Sequence, residues 1–372
     1  MKLSEHIPVL LDKVLETFGD VRGRVVIDAT FGAGGYSRAF LGRGAKVIAF
    51  DRDPSVTPFA EELRKQYGDD FIFINAPFSH ISYFVSHVSC PMPHITDIVF
   101  DLGISSMQID TPDRGFSWRF DAPLDMRMSA PSDISHPIGG SGRKATPSDI
   151  SPPIGGGGRK ATPSDISPPI GGSGRKAAPS DISPPIGGEW PRSGRGGGSA
   201  AELIEQLSMG QIAEILRDYG DMKNATGLAR KIKSALPRTT FQLKDLISNP
   251  KDVAPVFQAL RIAVNDELGE IERALNEVPA LLPSGGICAC VTFHSIEDRL
   301  VKNIFREWTA RVGDPHIPSP VSCEEISNAA KKEGGGDFIS LKTFRPDAVE
   351  MEKNPRARSS HLRAVRKISN IA

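Results

Sequence analysis

The stretch Val25-Val26-Ile27-Asp28-Ala29-Thr30-Phe31-Gly32-Ala33-Gly34-Gly35-Tyr36-Ser37 decides how this chain is read. β-branched residues running into an acid and then a glycine-rich turn predict a buried strand that feeds a helix. Glycines at that point let the backbone approach a ligand closely, at the carboxyl edge where open α/β sheets bind. The strand is expected over residues 24–30, and similar runs follow at 46–51, 71–75 and 95–101 with helical patterns between them. That alternation predicts βαβ units in a parallel sheet. An opening helix is expected after Pro8, with Val9, Leu10, Val14, Leu15 and Phe18 on one face.

The sheet is interrupted. Its next strand, 286–293, arrives late and follows a helical stretch over 256–281 in which Phe257, Leu260, Val264 and Leu268 share a stripe. Inside the interruption, a 16-residue repeat begins Pro-Ser-Asp-Ile-Ser at Pro131, Pro147, Pro163 and Pro179. Its Pro-Pro and Gly-Gly pairs block helices and sheet ladders alike, so 129–199 is expected to be a disordered, weakly basic loop. Lengthening a short loop to this size costs only about 2 kcal/mol of closure entropy. Helices are expected at 200–219 and 224–236, with Leu203, Leu207, Ile212, Ile215 and Leu216 as apolar positions and Gly220 as a stop. The expected organisation is a Rossmann-like α/β sheet in two parts, 1–106 and 257–372, around an inserted small helical domain at 107–256 that carries the repeat.

Over 372 residues the 45 basic side chains balance the 45 acidic ones, but unevenly along the chain. Basic residues dominate 217–251, and the tail from Lys353 carries Arg356, Arg358, Arg363, Arg366 and Lys367 without an acid. Such stretches suit a face directed at a polyanion, with Arg356, Arg358 and Arg363 as phosphate contacts, or an ordinary solvated surface. The four cysteines, Cys90, Cys288, Cys290 and Cys323, form no C-x-x-C pair, and no histidines cluster near them. No metal site is expected, and Cys288 and Cys290 should pack as small hydrophobes in a reduced compartment. With neither a signal-peptide pattern nor a membrane-length apolar run, a cytoplasmic protein is expected, with no membrane partner and its oligomeric state open.

The chemistry gathers at strand ends. Asp51, 19 residues after Gly32, has the spacing of a carboxylate that grips ribose hydroxyls. That alone suits a nicotinamide or an adenosyl cofactor. Ser37 breaks the strict G-x-G-x-x-G pattern of the first, and Asp28 is placed as a neighbour for a cationic sulfonium of the second. Phe78 is a candidate to cover an adenine or a core aromatic, and Asp101 is a candidate for the cofactor–substrate edge or a strand-end cap. Phe116, Trp118 and Phe120 either stack on a base or pack their loop onto the body. Near the same edge lies His294, and Ser295 with Asp298 forms a capping-box pattern.

Several longer motifs resemble one family. They include 6–10 (His-Ile-Pro-Val-Leu), 30–35 (Thr-Phe-Gly-Ala-Gly-Gly), 51–54 (Asp-Arg-Asp-Pro) and 101–106 (Asp-Leu-Gly-Ile-Ser-Ser). They continue with 114–117, 123–128, Thr240-Phe241, 257–261 (Phe-Gln-Ala-Leu-Arg), 293–299 and 354–360. In this order they resemble the RsmH (MraW) family of methyltransferases everywhere outside the repeat. The resemblance implies a class I methyltransferase fold and methylation of a cytidine N4 in the decoding centre of 16S ribosomal RNA, within the small subunit. It implies S-adenosylmethionine contacts at Gly34, Gly35, Tyr36, Asp51, Phe78, Asp101 and Gln108, and Tyr36 stands where the family usually has His. By placement, Asp101, Ser105 and Ser106 are the candidates to accept the N–H bonds of the reacting amine. The competing readings are a non-catalytic RNA-binding assembly factor on the same fold and a nicotinamide oxidoreductase.

Overall fold

The computed structural model describes residues 8–87, 94–129, 198–309 and 337–368. His6, Ile7, Cys90, Cys323 and the repeats at 131–194 lie outside the described residues. Seven strands form one sheet in the order β3-β2-β1-β4-β5-β7-β6. They are β1 (Val25–Asp28), β2 (Lys46–Asp51), β3 (Phe71–Asn75), β4 (Asp97–Asp101), β5 (Ile287–Thr292), β6 (Phe338–Ser340) and β7 (His361–Lys367). The first five pair in parallel, with Ile27 opposite both Ile48 and Ile98.

Alternation along these strands builds two cores, because successive side chains leave a strand on opposite faces. Ile27, Ile48, Phe50, Ile98, Phe100, Cys288 and Cys290 belong to one, and Val26, Val47, Ala49, Val99, Ala289 and Val291 to the other. The second face is covered by α1 (Leu11–Phe18), α2 (Gly35–Gly42) and α3 (Thr57–Tyr67), through Val14, Phe18, Phe40 and Leu63. Behind the first face lies α4 (Ile81–His87). Burial on both faces is why these strands read as continuous apolar runs. Among the described residues, Cys288 and Cys290 are free thiols and are buried as expected.

The interruption contributes α5 (Ser106–Asp110), α6 (Ala200–Gln206), α7 (Met209–Asp218), α8 (Ala225–Ala235), α9 (Thr240–Asp245) and α10 (Val253–Asn265). α11 (Glu267–Leu281) and α12 (Ser295–Trp308) then cover the first face beside α4, and α13 (Ala348–Lys353) precedes β7. Two stretches expected as single helices are each divided. The 200–219 stretch breaks where Ser208 starts a new capping box with Gln211. The 256–281 stretch breaks at Asp266, which adopts a left-handed conformation (φ 50°). That break frees Asn265 to donate to the Met126 carbonyl (2.7 Å) and accept from the Met128 amide (2.8 Å).

The basic tail is also corrected. β7 lies antiparallel between β5 and β6, with Cys288 opposite Val365 and Val291 opposite Leu362. Its buried residues, Leu362, Ala364 and Val365, sit between charged ones, so charge hid a central strand. Arg363 is no free phosphate contact, since its guanidinium holds the Asp298 carboxylate at 2.7 and 2.9 Å. No described helix is long and apolar enough to cross a membrane.

The loop from Thr111 to Met128 folds back on itself, with the Met126 amide donating to Arg114 O at 3.0 Å. Gly115 sits inside it at φ +70°, where a Cβ would lie 2.3 Å from Pro123 O and 2.8 Å from Asp125 N. Gly115→Ala is therefore expected to destabilise the protein by about 2 kcal/mol or more, combining left-handed strain with a backbone clash. Urea unfolding should show a lower midpoint at unchanged slope, and a midpoint equal to wild type would mean that the loop yields without cost.

Candidate active site

The glycine turn after β1 is tied to both neighbouring strands. The Phe31 amide donates to Phe50 O (2.8 Å), the Gly32 amide to Asp51 Oδ2 (2.8 Å), and the Asp101 amide to Thr30 Oγ1 (2.6 Å). Asp28 works beneath the turn. Its carboxylate accepts from the Ser37 hydroxyl (2.6 Å), the Ser37 amide (3.1 Å) and the Thr30 amide (3.3 Å). It is wholly buried, and burial raises its pKa to about 6. Asp28 is thus committed below the turn and does not line the cavity, which corrects its placement beside a sulfonium. Ser37, which broke the nicotinamide pattern, is the residue that satisfies it.

Above the turn lies a cavity of about 490 Å³, within the range of small-molecule sites. Asp51 stands at its rim with one backbone N–H on each oxygen, from Gly32 and Asp53 (both 2.8 Å). That leaves lone pairs on a fixed carboxylate, acceptors of the kind to which two ribose hydroxyls can donate. Burial is the main cause of its pKa being raised to about 6. Phe78 lines the same cavity and meets Phe100 edge-on, with centroids 5.6 Å apart. A Cβ on Gly35 would lie 2.1 Å from Pro8 Cγ, so only glycine admits the N-terminal segment there. Tyr36 is buried, and its hydroxyl donates to Val9 O, fastening that segment over the turn.

The far side of the cavity is acidic. Asp101 at the end of β4 has one buried oxygen, Oδ1, with no hydrogen-bond partner among the described residues. Burial, and then the charges of Asp28 and Glu297, push its pKa well above the usual carboxylate range. Gln108 spans the site, donating to Asp53 Oδ2 (2.8 Å) and accepting from the Ser105 amide (3.1 Å). Ser105 Oγ accepts from the Gln108 amide (3.2 Å), so one of its lone pairs caps α5. Ser106 opens that helix, and its side chain lies outside the described residues.

One group was not singled out from the sequence. Arg261, on α10, reaches Glu267 through two bonds of 2.8 and 3.0 Å, and its Nη2 lies 3.9 Å from Glu297 Oε1. Glu297 Oε2 accepts from the Phe293 and His294 amides (3.0 and 3.2 Å). The α12 cap is therefore His294 with Glu297, in place of Ser295 with Asp298, whose carboxylate is taken by Arg363. His294 lines the cavity, and burial followed by Arg261 lowers its pKa to about 4, leaving a neutral imidazole at neutral pH. The signal was present in the 257–261 and 293–299 motifs, but nothing in their spacing shows that they meet. Of the three loop aromatics, Phe116 is buried, Trp118 packs edge-on to Phe257 (5.4 Å) at the cavity wall, and Phe120 is exposed.

A parallel sheet with an antiparallel strand between β5 and its edge, a glycine turn after β1 and a ribose-ready carboxylate ending β2 together define a class I methyltransferase. The family model described as the MraW methylase family matches residues 3–136 and 194–368, and the chain belongs to that family. The ribosomal RNA small subunit methyltransferase H of Brucella anthropi is 34% identical over 96% of this chain and 86% of its own length. Its counterpart in Granulibacter bethesdensis is 35% identical over 97% and 90%. Among solved structures, an rRNA methylase from Streptococcus thermophilus overlaps 96% of this chain and 94% of its own at 11% identity, with a TM-score of 0.32. The nicotinamide reading ends with the family assignment.

Asp51 yields a prediction whose sign can be worked out. Ribose hydroxyls bind its ionised form, so affinity should be full above its raised pKa and fall as pH drops through about 6. Asp51→Asn should bind S-adenosylhomocysteine roughly 10- to 100-fold more weakly near neutral pH and lose most of that slope. Calorimetry from about pH 8 to about pH 5 reads both. A flat wild-type profile would remove Asp51 from the binding role.

Proposed function

We propose that this chain transfers a methyl group from S-adenosylmethionine to the exocyclic N4 of a cytidine in 16S ribosomal RNA, with the small ribosomal subunit as its substrate in the cytoplasm. Family membership supports the reaction class, and the methyltransferase H relatives support the RNA. The observation that carries the chemistry is the buried, unpartnered Asp101 Oδ1 in the same cavity as Asp51.

S-adenosylmethionine, when bound, supplies an electrophilic methyl group. Its proposed contacts are Gly34, Gly35, Tyr36, Asp51, Phe78, Asp101 and Gln108, with Asp51 holding the ribose and Phe78 beside the adenine. The Tyr36 side chain is already committed to Val9, so its contact would be through the backbone.

The cytosine amine is a poor nucleophile because its lone pair is delocalised into the ring, and the transfer releases one of its protons. A site must therefore orient the N–H bonds, keep water out and accept that proton. Asp101 has the free oxygen for this, and its raised pKa makes it the stronger proton acceptor. Ser105, with a lone pair left beyond its cap bond, and Ser106 are proposed as further acceptors at the amine. Reaching N4 requires an unpaired or flipped base, for which Trp118 stands at the cavity wall. The inserted helical region at 107–256 is proposed as the substrate-recognition element.

The test is transfer of labelled methyl to small subunits lacking the modification, followed by nucleoside analysis of the RNA. Label is expected as N4-methylcytidine, with turnover rising with pH through the Asp101 ionisation. Asp101→Asn should lower turnover by about 10²-fold or more. Label in another nucleoside, or full turnover by the variant, would overturn the assignment.

A further inference from the structure

The Thr240-Phe241 motif has no part in the chemistry above, and the structure gives its two residues opposite fates. Thr240 is buried, and its hydroxyl donates to Phe120 O (2.6 Å) while accepting from the Ala122 amide (3.1 Å). The Thr240 amide donates back to Ala122 O (3.0 Å), and the Phe241 amide to the Asp121 carboxylate (3.3 Å). These bonds join segments 120 residues apart in sequence. Their effect is to tie the Phe120 backbone to that of Thr240-Phe241, and both phenylalanine side chains stay exposed, Phe120 at 49% and Phe241 at 39%.

Single exposed apolar residues need no explanation, but two large exposed rings on segments tied by one buried threonine do. Their surroundings specify the partner. Lys244 lies over the Phe241 ring at 5.4 Å from its centroid, and Arg119, next to Phe120, is exposed. Residues Ser117, Trp118 and Arg119 line the cavity, so the chain passes directly from the cavity wall onto Phe120. Rings flanked by cations, continuous with a base-sized cavity, are the components with which proteins hold single-stranded nucleic acid. A second copy of this chain would bring Arg119 and Lys244 against like charges.

We propose that Phe120 and Phe241 form a stacking platform for rRNA nucleotides flanking the methylated cytidine, with Lys244 and Arg119 meeting the phosphates. This rests on the RNA-methylating reading above. It adds that the enzyme holds the strand outside the cavity, and so would bind an unpaired segment rather than an isolated nucleoside.

The experiment uses the full-length protein and a short fluorescein-labelled single-stranded RNA with one central cytidine, read by fluorescence anisotropy. Phe120→Ala and Phe241→Ala should each weaken binding roughly tenfold. Phe241→Leu should weaken it similarly, because it keeps apolar area without a π face, and Phe241→Trp should restore it. Salt dependence should persist in these variants, whereas Lys244→Ala should reduce the salt slope by about one. S-adenosylhomocysteine affinity, measured alongside, should match wild type and reports that each variant is folded. RNA affinity unchanged in both alanine variants, or a wild-type protein that does not bind the RNA, overturns the platform. So does sedimentation showing a wild-type dimer that Phe241→Ala dissociates without loss of RNA affinity. Methyl transfer by wild type is assayed in parallel on small subunits. Transfer with unaffected alanine variants removes the platform alone, while RNA binding lost on substitution without any transfer removes the catalytic reading and leaves the platform.

Discussion

Asp28 is fully buried, and burying a carboxylate in that way is costly unless hydrogen bonds surround it. Here they come from Ser37 and from Thr30, at the two ends of the glycine turn. Once Asp28 has gathered those ends, Thr30 Oγ1 can take the Asp101 amide, and Gly32 can reach Asp51. The turn becomes a clasp across β2, β1 and β4. The two carboxylates that face the cavity stand where they do because a third, hidden below, holds the backbone between them.

Asp101 and Arg261 line the far wall, and the arginine is largely spent on Glu267, which is buried like Glu297. Asp101 Oδ1 and Glu297 Oε1 are left without hydrogen bonds. Burial is the main cause that raises both above the usual carboxylate range, with the charges of Asp28 and Glu297 adding to it at Asp101. Burying carboxyl groups that are incompletely paired comes at some expense of stability.

The helical interruption is tied to the loop before it at points that spacing does not announce. Asn265 reaches Met126 and Met128 from the break between α10 and α11. The Ala200 and Ala201 amides donate to Asp125 O (2.7 Å) and Leu124 O (3.0 Å), so the chain just after the repeats is bonded to the chain just before them. The family match itself leaves out 137–193. Closing a longer loop adds little entropy once its ends are held, which accounts physically for repeats of this length between two ordered flanks.

What the sequence determined by itself was whatever depends on local pattern. Continuous β-branched apolar runs located β1 to β5 to within a residue or two, and the turn from Gly32 to Ser37 with Asp51 pointed to an adenosyl cofactor. The motifs around Asp101 and Gln108 placed the rest of the cavity. Tertiary structure decided everything that depends on pairing between distant residues. Arg363 looked like a phosphate contact until Asp298 was seen opposite it, and β7 was hidden because its buried residues alternate with charges that find partners elsewhere in the fold. Asp28 belonged beneath the turn because Ser37, in the first turn of α2, reaches back to it, and His294 replaced Ser295 as the α12 cap because Glu297 could reach its amide. Periodicity records which face of an element meets the core, whereas the partner of a charge is set by the fold as a whole.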